Sequence, residues 1–289
     1  MLQRLKTTGH STRGQLRILY WDARSCAQLR NTARHLGAAL QRIKANKAYH
    51  LVGRGGTKAA LRMLIRHLPH ANFVARFDIK HYYQSMNHHV IKSLLQPLNI
   101  SADDALVMDQ FLQHAARHTQ RGIPAGNAVA PILGALMLAP LDQLMHRLKR
   151  SQKIISYVRY MDDIVILTKT RWQLRRAIKK MYAMLEKCDL TVHQDQKRSI
   201  GRTRKGFDFL GYRIYAGKKL TPSKESVRRF QQKMMGLMSK EPDRLYSYIA
   251  RWHQALYAGL SRHISHQGGL KRTKKRALYY LKQQGYSPP

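Results

Sequence analysis

Asp162 and Asp163 stand side by side between two apolar runs, Ile154 to Val158 and Ile164 to Leu167. Adjacent carboxylates beside hydrophobic β-prone segments repel each other and gain little from solvent, so a cation is expected nearby. Asp78 holds a comparable place, near the end of the short β-prone run Phe73 to Ile79 and just before a turn. Three carboxylates brought together from two strands suit two Mg²⁺ ions about 3.5–4 Å apart, the arrangement that stabilises attacking and leaving oxygens in phosphoryl transfer. Each piece also has a plainer reading. Asp is common in hairpin turns, and Asp78 by itself is as well placed to cap the next helix as to bind metal.

These acids sit in a strongly basic background. The 289 residues carry 53 Lys plus Arg against 15 Asp plus Glu, a formal net charge of +38. Neither solubility nor folding requires that excess, so an anionic partner is expected. Residues 1–77 hold 15 basic and 1 acidic side chain, 78–215 hold 22 and 11, and 216–289 hold 16 and 3, which excludes a detachable basic tail as the source. The length and 44% apolar content allow one large folded body or two modest domains. Cys26 and Cys188 lie far apart with no CxxC spacing, which disfavours a disulfide framework or a zinc site and suits buried thiols in a reducing cytoplasm. The most apolar stretch, Ala128 to Leu141, is 14 residues long and broken by Pro131 and Pro140, short of the roughly 20 a membrane span needs. The first residues lack the apolar core of a secretory signal. Nucleic acid therefore leads acidic lipid as the polyanion, with no membrane partner.

The elements that must position the acids follow from periodicity. Residues 15–48 read as helix, with Leu29, Ala33, Leu36, Leu40 and Ile43 at three-to-four spacing. Gly53, Gly55 and Gly56 break it, and residues 57–68 resume the pattern until Pro69. The run ending at Asp78 reads as a strand leading into a helical stretch that reaches about Gln96. Residues 102–118 read as helix, Gly122 to Asn127 as a turn, and Pro131 to Leu148 as one buried, nearly all-apolar helix. The two apolar runs around the paired aspartates form a hairpin with acids at its tip. Residues 171–187 are a basic amphipathic helix, 207–215 a strand pair around Gly211, and the chain from Thr221 is helical with aromatic and basic residues interleaved.

Other candidates are weaker. His81, His88 and His89 have no HExxH or Cys partner and read as polar surface or RNA contacts. Gly53-Arg-Gly-Gly56 lacks the Gly-Lys-Ser/Thr ending of a P-loop and reads as a flexible turn. Trp172 with Arg171 is placed either to stack on a base or to anchor its amphipathic helix. Tyr246, Tyr248, Trp252 and Tyr257 alternate with Arg244, Arg251 and Arg262, so one helix face can pack in a core while the other tracks a phosphate backbone.

From Phe73 to Tyr215, about half the chain, the motifs in their order resemble the right-hand polymerase domain of reverse transcriptases, especially the compact bacterial ones related to group II intron, diversity-generating and defence-associated retroelements. Phe77 through Tyr83 resembles the first palm motif. That resemblance implies Asp78 as a metal ligand, the backbone carbonyl of Ile79 completing the metal shell, and Tyr83 as the sugar-discriminating ring that crowds a 2′-OH. Gly122 through Pro131 resembles the second motif, implying that Gly126 lets the backbone approach the incoming nucleotide, with Asn127 beside it. Tyr160-Met161-Asp162-Asp163 resembles the catalytic hairpin, against which primer and template lie. Val192 through Lys197 resembles the segment whose lysine, here Lys197, protonates departing pyrophosphate. Phe209-Leu210-Gly211-Tyr212 resembles the primer grip, and Trp252 falls in the thumb as a further primer or template contact. Two departures stand out: Ala125 replaces the family's common glutamine, and the fingers motif with triphosphate-binding Arg and Lys is not distinct. Arg54, Lys58 and Arg62 take that role on charge and location alone, and each reads equally well as solvated helix surface.

The fold implied is α/β, a right-hand polymerase. Residues 1–72 form a basic, mostly helical N-terminal extension and fingers, 73–216 a palm on a small antiparallel sheet with part of the fingers, and 217–289 a basic helical thumb. The activity implied is RNA-directed DNA polymerisation with two Mg²⁺ ions. Its partners would be a structured non-coding RNA template, a DNA or RNA primer and the cDNA product, with room for a protein partner, in a bacterial retroelement or phage-defence system. Two other classes share the basic surface or the palm. A maturase-type RNA-binding protein without synthesis is disfavoured by the intact acids beside Tyr83, and an RNA-dependent RNA polymerase by the aromatic gate. Neither an endonuclease extension nor an RNase H-like carboxylate cluster is expected after residue 216.

Overall fold

The computed structural model describes residues 2, 4–8, 18–42, 48–115, 120–194, 198–258, 260, 263, 275, 279, 282 and 283. The chain divides into two compact units, Met1–Ile200 and Gly201–Pro289.

In the first unit β1 (Arg4–Thr8) pairs antiparallel with β2 (Ile18–Trp21), and α1 (Ala23–Arg42) follows. Residues 18–21 are thus strand where helical spacing was expected from residue 15, because Ile18 to Trp21 gain ladder partners in β1 that local periodicity does not register. Then come α2 (Gly56–His67), β3 (Phe73–Asp78), the single turn α3 (Tyr82–Ser85), α4 (His88–Leu95) and α5 (Ala102–Ala115). The expected helix over Pro131 to Leu148 is two helices, α6 (Ala130–Met137) and α7 (Ala139–Arg150). Pro140 has no N–H to continue the ladder, so the chain breaks at Leu138 and Pro140 opens the first turn of α7. The hairpin strands are β4 (Ser156–Tyr160) and β5 (Asp163–Thr168), followed by α8 (Arg171–Lys187); β6 (Ser199–Arg202) begins in this unit and runs past its last residue.

The sheet order is β4-β5-β3-β6. Antiparallel register sets Phe77 opposite Ile164 and Ala75 opposite Ile166, and Ile166 opposite Tyr157. These residues share one core with Leu174, Ala177 and Met181 of α8 and Leu133, Leu136 and Leu141 of α6 and α7. Side chains alternate across a strand, so the next set, Arg76, Asp78 and Asp163, lies on the opposite face. The acids therefore ride on a sheet whose other face is buried against helices, which fixes register: a slip of one residue would drive them into the core.

The second unit holds β7 (Phe207–Phe209), β8 (Tyr212–Ile214) and β9 (Thr221–Pro222) in that order, then α9 (Lys224–Lys240) and α10 (Leu245–Tyr257). Phe230, Met234 and Leu237 of α9 meet Leu245 and Ile249 of α10 in its core. The division between the compact units falls at Ile200/Gly201. In the second unit the β7–β8 hairpin is tied to α10, the Tyr212 hydroxyl donating to the Leu256 carbonyl at 2.7 Å. Among the described residues no helix is long and apolar enough to cross a membrane, and both cysteines are free.

Candidate active site

Asp78 is the last residue of β3 and lies directly opposite Asp163, the first residue of β5, which faces Tyr160 on its other side. Only Met161 and Asp162 form the turn, so Tyr160 and Asp163 belong to strands rather than to the loop the sequence suggested. Asp163 accepts from Arg76 two positions along β3, Nε at 3.1 Å and NH2 at 2.8 Å. The Asp78 carbonyl accepts from the His193 amide at 2.9 Å, and the His193 ring Nε2 stands 3.8 Å from the Asp78 carboxylate. Ile79 is buried and bridges Val192.

The turn itself is held from both sides. Met161 has φ +56°, a left-handed conformation that costs a non-glycine residue roughly 1–2 kcal/mol. Its N–H donates to His50 Nδ1 at 3.2 Å, and its carbonyl accepts from Arg159 NH1 at 3.0 Å. His50 Nε2 reaches the Pro131 carbonyl at 3.1 Å, so the ring is neutral with its proton on Nε2. Burial, and behind it the charge of Arg159, holds the imidazole down to about 4. Arg159 is fully buried; burial works against its charge, but the Asp142 carboxylate outweighs that and keeps it protonated. His50, Asp142 and Arg159 were not anticipated from the sequence. The one available signal was a charge inside an apolar segment, as at Arg159 and Asp142.

Tyr83 lies beside these acids. Burial, with the Asp162 charge second, pushes its hydroxyl up to about 12. Its ring stacks on Tyr82 with centroids 5.8 Å apart, and Tyr82 donates to the Gly134 carbonyl at 2.5 Å. A Cβ on Gly134 would sit 3.3 Å from both rings, so the missing side chain on α6 leaves them their room. In the turn before α6, Gly126 has φ +84°. The Asn127 amide is committed locally: Oδ1 accepts from Val129 and Ala130 at 3.1 and 2.9 Å, and Nδ2 donates to Pro124 at 2.7 Å. Ala125 is buried.

Arg54 lies in the turn before α2, and Lys58 and Arg62 lie one turn apart on α2, which packs against β4. Burial lowers the Lys58 ammonium. Lys197 lies outside the described residues. His88 is a correction: it is buried, not surface, with Nε2 2.8 Å from the Gly122 carbonyl. In the second unit Leu210 and Gly211 have φ +48° and +85°, a two-residue hairpin turn between Phe209 and Tyr212, both buried. Trp252 stacks on Phe230 with centroids 4.1 Å apart, so that ring packs on its unit's core.

Asp78, Asp162 and Asp163 are hard oxygen donors of the kind Mg²⁺ takes. Among the described residues no group of three Asp, Glu, His or Cys side chains forms a cage. Mg²⁺ does not need one, since it usually binds one or two carboxylates and completes its shell with water and substrate phosphates. The residues present fit the ion on those terms.

Residues 15–214 match the family described as reverse transcriptase (RNA-dependent DNA polymerase), and the chain belongs to that family. Its fold is similar to solved telomerases. Apo telomerase from Candida tropicalis aligns with a TM-score of 0.57 at 11% identity over 97% of this chain and 64% of that one. A C-terminally truncated form from the same organism gives 0.53 at 13%, over 69% and 45%. Telomerase from Candida albicans, in complex with a fragment of telomeric RNA, gives 0.52 at 11%, over 89% and 52%. At such identity the likeness is one of fold, and this chain spans between 45% and 64% of the length of those three. No curated protein matches.

Proposed function

We propose that this chain is an RNA-directed DNA polymerase that extends a primer with deoxynucleotides, with Asp78, Asp162 and Asp163 holding two Mg²⁺ ions. The observation that carries this reading is the pairing of Asp78 with Asp163 across β3 and β5, with Asp162 in the adjoining turn. Magnesium, when bound, lowers the pKa of the primer 3′-hydroxyl and neutralises charge developing on pyrophosphate.

The side chains of the protein supply the rest. The clamp on Met161 presents the aspartates at a fixed angle to the sheet. Tyr83 closes the sugar side, excluding a 2′-OH. Arg54, Lys58 and Arg62 attract the triphosphate, the backbone at Gly126 approaches the nucleotide while Asn127 holds that turn, and Lys197 returns a proton to pyrophosphate. Tyr160 and Met161, the 209–212 hairpin and the α10 region around Trp252 track primer and template. On this reading 1–72 and part of 73–216 act as fingers, the remainder of 73–216 as palm and 217–289 as thumb. A structured non-coding RNA as template, in the cytoplasm and within a bacterial retroelement or phage-defence system, accords with the charge of +38 and with the motif pattern.

The test is incorporation of labelled dNTPs on a primed RNA template. Asp162→Asn with Asp163→Asn is expected to abolish extension while RNA affinity stays nearly intact, and retained incorporation would remove the catalytic assignment. Offering ribonucleotides and deoxynucleotides to the same primed template separates this reading from an RNA-synthesising enzyme.

A further inference from the structure

Trp172 opens the exposed face of α8 and is 65% exposed, which a ring anchoring its own helix would not be. The Arg176 guanidinium lies 5.9 Å from the ring centroid. Beside them is a cavity of about 200 Å³ with a floor of buried Leu148, Ile154 and Ala177 and a rim of exposed Lys153, Arg176 and Lys180. It is smaller than the roughly 300–1,000 Å³ of a small-molecule site, so it takes one ring system rather than a whole cofactor. Arg171, Arg175 and Lys179 extend the positive surface along α8, whose single acid, Glu186, lies at its far end.

This surface is not the one that carries the acids. Phe77 meets Tyr182 of α8 edge-on at 5.8 Å, so α8 covers the sheet face opposite Asp78, Arg76 and Asp163.

We propose that the Trp172 surface is a second nucleic-acid site, which takes a single-stranded segment of RNA by stacking one unpaired base on Trp172 while Lys153, Arg176 and Lys180 hold the flanking phosphates. An aromatic platform ringed by cations matches a strand with π-faces and regular charge. An acidic peptide offers the charge but no ring. A duplex offers the charge but keeps its bases stacked. The proposal rests on the RNA-templated reading only for which strand is present, and places that strand's contact outside the polymerising face.

Titration of the full chain with a short single-stranded RNA, and with the same strand made abasic, at one fixed salt concentration, tests this without any synthesis. Trp172→Ala is expected to weaken the intact strand roughly 5- to 150-fold, the range for losing one stacked base. It should leave the abasic strand unaffected, and Trp172→Phe should restore most of the affinity. Arg176→Ala with Lys180→Ala should weaken both strands. Unchanged affinity of Trp172→Ala for the intact strand, or the same loss on the abasic one, overturns the proposal. So does a Trp172→Ala protein that loses polyglutamate binding but keeps RNA, which would make this a protein-docking face. Extension of a short primed duplex, run in parallel, is expected to be unchanged by Trp172→Ala. Failure of the polymerase reading would appear there and leave the RNA titration standing.

Discussion

Arg159 grips both carboxylate oxygens of Asp142 inside the core, Nε to Oδ1 at 2.9 Å and NH2 to Oδ2 at 2.5 Å. The Tyr157 hydroxyl donates to the same Oδ1 at 2.7 Å, and the remaining nitrogen of Arg159 reaches the Met161 carbonyl. A buried ion pair thus links α7 to the turn that carries Asp162. Its net stabilising value is small because both charges were desolvated to make it. Its geometric value is larger, since a planar fork fixes direction as well as distance.

Removing one partner should therefore cost much more than the pair contributes. Asp142→Ala leaves a buried cation uncompensated and is expected to destabilise the protein by about 3–5 kcal/mol, read as a lower urea midpoint. Arg159→Lys keeps the charge and loses the fork. It should unfold later than Asp142→Ala yet lower the kcat for incorporation more than it raises KM, because the Met161 carbonyl loses its donor. An unchanged kcat would deny the clamp a positioning role.

Tyr83→Ala should raise the ratio of ribonucleotide to deoxynucleotide incorporation at least tenfold, about 1.4 kcal/mol of discrimination. Tyr83→Phe keeps the ring and is expected to keep the ratio. A ratio unmoved in the alanine variant would place discrimination elsewhere.

His50 makes stability depend on pH with a definite sign. Its folded value of about 4 lies below the 6.5 of an unperturbed imidazole. Between those values the unfolded chain binds the extra proton, so the contribution is fully present above about pH 6.5 and is lost as pH falls toward 4. The loss is on the order of 2–3 kcal/mol. Urea midpoints measured from pH 7 down to 4.5 should fall, and His50→Gln should flatten that part of the curve.

Salt reads the electrostatic contribution. RNA affinity is expected to drop roughly 10³–10⁵-fold between 50 and 200 mM salt if about 6–10 phosphates are contacted. A flat response would rule out an extended basic track.

Asp78, Asp162 and Asp163 were legible as a group from the sequence because an acid next to a β-prone apolar run is anomalous wherever it occurs. Helices α2 and α8 were legible because apolar spacing is local, as is the stop signal at Pro69 that follows the first; the capping box of Thr170 and Gln173 at the start of the second came only with the structure. The break at Leu138 was missed because an apolar run looks alike whether or not its ladder is intact. Trp252, with its aromatic and basic neighbours, read equally as core packing and as a nucleic-acid contact, and its ring stacks on Phe230 two helical turns into another helix, a partner no local pattern names.

Residue type, charge and period are properties of neighbouring positions, and the sequence alone determined those: a basic chain, three candidate acids and the strands and helices that bear them. The register that sets Asp78 against Asp163, the clamp that brings His50, Asp142 and Arg159 to Met161, and the exposure of Trp172 were decided only by tertiary structure. Each depends on segments far apart in the chain meeting at one place, and on which of their atoms water can no longer reach.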